Sequence, residues 1–339
     1  MSASPGLWRL AWLRFCRDRV GVVSLAIVVF FVALMLASGT GLVAADWEKE
    51  VGVSSAPPAF MGPDAPELSS PAPAPPAAGS AGAGEESSIV DPLADALSQI
   101  RNRPGGAAAA EARAPVLAFG GDRWGRDVLK KTIKGTETSL FVGLVAAMLA
   151  AFLGTVFGAL AGYYGRWVDD FFNWFYSVFT SIPYLLLILA VAGVLNQKGT
   201  LTVILILAFT GWTGIFRLVR AEYLKHKARE YVRAADAIGA SDLRRMFVHI
   251  LPNVSHVVLV QLSLHVVLFI KSEVVLSFLG FGVGVDTVSW GSMLNEAQGE
   301  LILGKWWQCA AATAAMALLV TAFGLFTDAL RDALDPRLK

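Results

Sequence analysis

Six stretches of this chain are long and apolar enough to cross a bilayer, and that restricts its fold more than any other feature. Crossing roughly 30 Å of hydrocarbon takes about 20 predominantly apolar residues in a helix, because the backbone must satisfy its own hydrogen bonds there. The stretches lie near residues 21–45, 138–164, 169–195, 200–221, 254–282 and 306–330. Only 16% of the 339 residues are charged, against about a quarter in a water-soluble domain. Mean hydropathy is +0.57. The expected fold is an all-α polytopic membrane protein with six transmembrane helices. The first apolar stretch is longer than the roughly 7–15 residues of a signal-peptide core, which favours a retained anchor.

Orientation follows from Lys and Arg near the ends of the spans. Arg9, Arg14, Arg17 and Arg19 precede the first, and Arg166 separates the second from the third. Lys225, Lys227, Arg229, Arg233, Arg244 and Arg245 lie between the fourth and fifth, and Arg331, Arg337 and Lys339 follow the sixth. All four segments fall on one side, so both termini are expected in the cytoplasm of a cell whose inner membrane holds the chain. Trp47, Trp124, Trp290, Trp306 and Trp307 are expected near the outer interface, and Trp8, Trp12 and Trp167 near the inner one. The net charge of +1 gives no reason to invoke nucleic acid; lipid is the expected surrounding. Cys16 and Cys309 fall on opposite sides of this topology, which excludes an intrachain disulfide. With His226, His249, His256 and His265 dispersed, no zinc site or other metal site is expected.

The organisation read from these spans is simple. Residues 1–45 form a cytoplasmic N-terminus and first span, and 46–137 an outer loop. Residues 138–330 form a five-helix core containing a cytoplasmic loop at about 222–253, and 331–339 a cytoplasmic tail. Within the outer loop, about 56–115 is rich in Pro, Ala, Gly and Ser. Such a composition buries too little apolar area to offset ordering entropy, so a disordered, solvated insert is expected. Residues 122–134 alternate apolar and basic positions at helical spacing, which predicts a short interfacial helix.

Inside the spans three features stand out. Ala150, Gly154, Gly158 and Gly162 put a small residue at every fourth position, a flat stripe for close packing against another subunit or against this chain itself. Gln261, His265, Lys271 and Glu273 bring polar groups into the fifth span, where they mark either a translocation pathway or a satisfied helix contact. Pro183 is expected to kink or break the third span.

The loop between spans four and five reads EYVRAADAIGASDLRRMFVHILPN over residues 230–253. Glu230 to Ile238 are helix formers, with Ala234 and Ala235 giving a low-profile face. Gly239 suits a left-handed helix terminus, and Ser241 with Asp242 begins a second helix that Leu251–Pro252 is expected to stop. This helix–turn–helix resembles the EAA loop of ABC importer permeases. Asp122–Leu129 (DRWGRDVL), Gly162–Gly165 (GYYG), Leu276–Gly282 (LSFLGFG) and Leu330–Pro336 (LRDALDP) are similar to the C-type permease of dipeptide, oligopeptide and nickel importers. Three departures are visible: Arg233 stands where the triplet opens with Glu (Glu230 lies one turn earlier), Glu137 stands where relatives usually have a basic residue, and the insert near 56–115 is longer than most relatives carry.

The resemblance implies a type I importer permease fold with cytoplasmic coupling helices, and a pathway for peptides shared with a second, B-type permease. It implies two ATPase subunits, which hold the ATP and magnesium, and an extracytoplasmic substrate-binding protein. Glu230, Arg233, Ala234, Ala235, Gly239, Leu251 and Pro252 become the expected ATPase-coupling residues. The chain itself lacks a GxxxxGK[ST] phosphate loop, HExxH or a nucleophile elbow, so no catalytic residue and no cofactor of its own is expected. The alternative is a secondary transporter driven by an ion gradient, with Glu273 as its intramembrane carboxylate.

Overall fold

The computed structural model describes residues 12–62, 113–284 and 286–334, in which every regular element is helical. Helix α1 (Arg19–Gly39) is capped by Asp18, whose carboxylate accepts from the Val20 N–H at 3.0 Å. Helix α2 (Val128–Tyr164) is 37 residues long and begins at the Asp127 cap. Two bent pairs follow: α3 (Arg166–Thr180) with α4 (Tyr184–Leu195) at 88°, and α5 (Thr200–Gly211) with α6 (Thr213–Lys227) at 41°. Then come α7 (Glu230–Ala237), α8 (Asp242–Phe278), α9 (Trp290–Ile302) and α10 (Trp307–Leu334). Counting each bent pair as one span gives six; α1, α2, α8 and α10 are unbroken.

The first bend is the break expected at Pro183, which ends one helix at Thr180 and opens the next at Tyr184. The second has no proline. There Gly211 lies against Phe269 of α8, whose Cζ would be 2.3 Å from a Cβ at that position, and Trp212 is buried among Phe157, Phe175 and Phe179. Close approach at one residue and a large ring at the next redirect the chain.

Helix α2 is the central rod, touching α1, α3, α5, α6, α8, α9 and α10. Its glycine stripe packs within this chain. A Cβ at Gly154 would be 2.8 Å from Ile215 Cβ, one at Gly158 2.8 Å from the Phe216 carbonyl oxygen, and one at Gly162 2.7 Å from Tyr223 Cβ. All three neighbours belong to α6. Backbone-to-backbone contact is what lets two helices associate where lipid is as apolar as their side chains.

Several expectations are corrected. Residues 122–134 are not a separate interfacial helix: 122–127 form a turn, and from Val128 the segment is the first turns of α2. The apolar–basic alternation misled because Lys131 is buried and paired, not solvated. The insert is narrower than 56–115. Residues 56–62 and 113–115 belong to a folded lobe whose bridges join Glu50 to Arg126, Gly52 to Ala114, Pro58 to Leu117 and Gly121 to Asp127. The rest of the insert, Trp8, Arg9 and the tail beyond Leu334 lie outside the described residues. Leu251–Pro252 does not stop a helix either. A π-helical stretch at Arg245–Ile250 precedes it, in which the Leu251 N–H reaches back to the Met246 carbonyl, and the widened turn carries α8 through the proline. Trp47, Trp290 and Trp307 are buried in the protein rather than turned to an interface, the Trp290 N–H donating to the Thr132 carbonyl at 3.1 Å and that of Trp307 to Gly121 at 2.7 Å. Helix α9 was not foreseen, since its polar residues hide a helical period between two apolar runs.

Candidate functional site

The 222–253 loop is built as local chemistry dictates. Helix α7 ends at Gly239, whose φ of +82° places it in the left-handed region. The Ala240 N–H then bonds the Ala235 carbonyl at 3.0 Å and the Gly239 N–H that of Asp236 at 2.9 Å, the paired closure of a Schellman motif. Ser241 caps α8, its side chain accepting from the Arg244 N–H. Val232 and Ala235 face inward, and the Tyr223 hydroxyl donates to the Met246 carbonyl at 3.1 Å, fastening the loop to α6. Glu230, Arg233, Ala234, Gly239 and Pro252 are exposed, Leu251 is half-buried and Ala235 is buried. These expected coupling residues therefore run from α7 through its closing turn into α8 and do not share one surface. Beside them stand apolar side chains that composition did not single out: Ile238 is 85% exposed, Leu243 61% and Val248 58%.

The polar groups of α8 do not converge. Lys271 is exposed, while His265 is buried with Nδ1 2.7 Å from the Gln261 carbonyl oxygen. Glu273 is fully buried and accepts from Ser139 at 2.8 Å and from Ser277 at 2.7 Å. The Ser139 oxygen also accepts from the backbone N–H of Trp290 at 3.2 Å, which joins α2, α8 and α9. A carboxylate held by two hydroxyls meets the requirement that a buried polar group be partnered. Glu137, another departure noted above, accepts from Ser38 of α1 at 2.6 Å and pairs with Lys134 at 2.8 Å, tying α1 to α2.

At the far end of α2 lies a charge cluster that sequence reading missed. Lys131, buried, pairs with Asp122 at 2.8 Å and with Glu296 of α9. Asp122 also accepts from Arg126 Nε at 2.7 Å and from the Trp124 and Arg126 N–H groups, each at 2.9 Å. The guanidinium of Arg126 lies over Trp124, 4.2 Å from the ring centroid. Burial pushes the Asp122 carboxyl up, but Lys131, the backbone donors and Arg126 outweigh it and hold the group below its usual 3.8. Burial instead dominates at Glu300, whose Oε1 accepts from the Arg123 N–H at 2.9 Å, and its carboxyl is raised above 4.5. Because the folded value of Asp122 is depressed, its contribution is complete above pH 3.8 and is lost as pH falls through the lowered value. Glu300 acts in the opposite sense, its contribution fading as pH rises through its raised value. Acid melting curves are expected to lose, in an Asp122→Asn variant, the component below the ordinary carboxylate range; an unchanged acid limb would exclude this origin.

A family model described as the inner membrane component of binding-protein-dependent transport systems matches residues 154–339, more than half of the chain. The matched stretch contains the loop, its Schellman turn and the whole of α8.

The chain belongs to this family.

It is a multi-pass inner-membrane permease, the non-catalytic membrane subunit of an ABC importer, and works with ATPase and binding-protein partners. A second model, the N-terminal transmembrane domain of oligopeptide transport permease C, matches residues 6–47. The permease is 38% identical to the dipeptide transport system permease protein DppC of Bacillus subtilis over 221 residues, 65% of this chain and 69% of that one. It is 34% identical to the oligopeptide transport system permease protein OppC of the same organism, covering 65% and 72%. To the glutathione transport system permease protein GsiD of an Escherichia coli strain it is 37% identical, again covering 65% and 72%.

Proposed function

We propose that this permease is the C-type subunit of a peptide importer and docks on its ATPase through the 230–252 loop. The exposed apolar side chains of that loop carry the reading: Ile238, Leu243 and Val248 are exposed alongside Glu230, Arg233 and Ala234, the mixture of apolar and polar groups that a protein partner covers. Relatives named for dipeptide, oligopeptide and glutathione transport support short peptides as the cargo class. The distribution of Arg and Lys supports cytoplasmic termini and a cytoplasmic loop. A second, B-type permease completes the pathway, two ATPase subunits bind the ATP and magnesium, and a binding protein delivers cargo from the other side. ATP-driven closure of the ATPases moves the loops, and the permease pair alternates its opening because each state differs in its contacts with those partners.

The test is Gly239→Ile. A Cβ at Gly239 meets nothing within 4 Å, so the fold has room for the side chain. A left-handed β-branched residue nevertheless costs about 1–2 kcal/mol and refolds the turn that aims Ile238. Peptide uptake is expected to fall at least about tenfold with normal membrane insertion, a change worth about 1.4 kcal/mol in coupling. Wild-type uptake by a well-inserted variant would overturn the docking role.

A further inference from the structure

Tyr163 closes the last turn of α2, and groups from two other elements converge on it. Its hydroxyl donates to Asp242 Oδ1 at 2.9 Å. The Arg245 guanidinium lies 5.8 Å from its ring centroid and bonds both Asp242 and Asp236. Lys227, the last residue of α6, donates to the Tyr163 carbonyl at 2.5 Å and stands 5.3 Å from the ring. Asp236 belongs to α7, whereas Asp242 and Arg245 open α8. One arginine therefore joins the two helices of the loop to each other, and one tyrosine joins both to the central helix.

Stability does not account for this arrangement. The Asp236 and Asp242 side chains are 64% and 46% exposed. Although the Arg245 side chain is 18% exposed, the water on the acidic side of these pairs holds each to about 0–1 kcal/mol. Tyr163, by contrast, is 5% exposed and belongs to the apolar cluster of Ile215, Val219 and Tyr223. The contacts are weak as glue but specific in direction, and they end on an anchored side chain. Helix α2 then runs without a break from Tyr163 to Lys131, about 48 Å at 1.5 Å per residue. At that end Lys131 is pinned to Asp122 and to Glu296 of α9, and along the way Ser139 holds Glu273 of α8.

We infer that Tyr163 is the positioning residue through which movement of the 230–252 loop is transmitted along α2 to the lobe at its far end. The Schellman turn and the shared packing of Val232, Met246 and Ile250 hold α7 and the start of α8 as one body, and Arg245 and Asp242 direct a pull on it to the tyrosine hydroxyl. The inference rests on the docking role proposed above.

The experiment uses the complete importer in liposomes, with its ATPases, partner permease and binding protein, carrying Tyr163→Phe or Arg245→Gln. Tyr163→Phe, which lies outside the docking loop, is expected to retain ATPase subunits in wild-type amount and to hydrolyse ATP, while cargo imported per ATP falls about tenfold, within the range of ordinary coupling energies. Arg245→Gln, inside the loop, is expected to lower the same ratio. Arg245→Lys, which keeps a donor for Asp242, is expected to recover part of that ratio. An unchanged ratio in both variants would overturn the inference, as would loss of the ATPase subunits from Tyr163→Phe in proportion to transport, which marks a merely structural role. A wild-type complex that carries another solute but no peptide would correct the cargo class alone, with the ratio read on that solute. Wild-type uptake by Gly239→Ile would instead remove the docking role and the transmission path together.

Discussion

Replacing Lys131 with methionine is expected to cost the folded permease about 3–5 kcal/mol, the usual result of removing one partner from a buried ion pair. The side chain is fully buried and serves Asp122 and Glu296 together. Methionine fills nearly the same space, so the loss isolates charge from volume. Asp122 stays buried with only Arg126 and two backbone N–H groups to hold its charge. Combining Lys131→Met with Asp122→Asn is expected to cost less than the two single changes added together, because the second removes the charge that the first leaves stranded. Thermal melting of the detergent-purified protein reads both results. A single variant that melts with the wild type would show that this cluster is hydrated and not buried.

Gly158→Leu is the second large effect. Its Cβ alone would stand 2.8 Å from the Phe216 carbonyl oxygen, 2.9 Å from Val219 Cβ and 3.0 Å from the Arg220 nitrogen. Two of these neighbours are backbone and cannot swing aside, so α2 and α6 must separate. The expected cost is about 3 kcal/mol, the upper end of overpacking penalties, with lower yield and a lower melting temperature. Gly193→Leu provides the control, since a Cβ there meets nothing within 4 Å and α4 should tolerate it. Equal melting of both variants would place the stripe against something other than α6.

Much of this molecule is legible in its sequence. Six apolar runs of bilayer length define the class, because no other structure satisfies the backbone in lipid. Pro183 announced its break, Gly239 its left-handed turn and Ser241 its cap, each through a constraint carried by one residue and its immediate neighbours. The loop strings likewise pointed to the permease family that residues 154–339 match.

Partners distant in the chain were a different matter. Nothing local in Lys131 tells that it faces Glu296, 165 positions away, or that its helix continues from a loop read as interfacial. Pro252 carries the same stop signal as Pro183, yet the widened turn of the π-helical stretch before it lets α8 pass. The glycine stripe named a close contact without naming α6, and Glu273 named a polar site without its serines. Sequence by itself determined the lipid-spanning elements and the ends marked by Pro183 and Gly239, because hydrophobic length, φ preference and capping act within a few residues. Which buried charge meets which counter-charge, and which helix fills a glycine groove, was decided only by the tertiary structure, since those energies exist only once the helices are side by side.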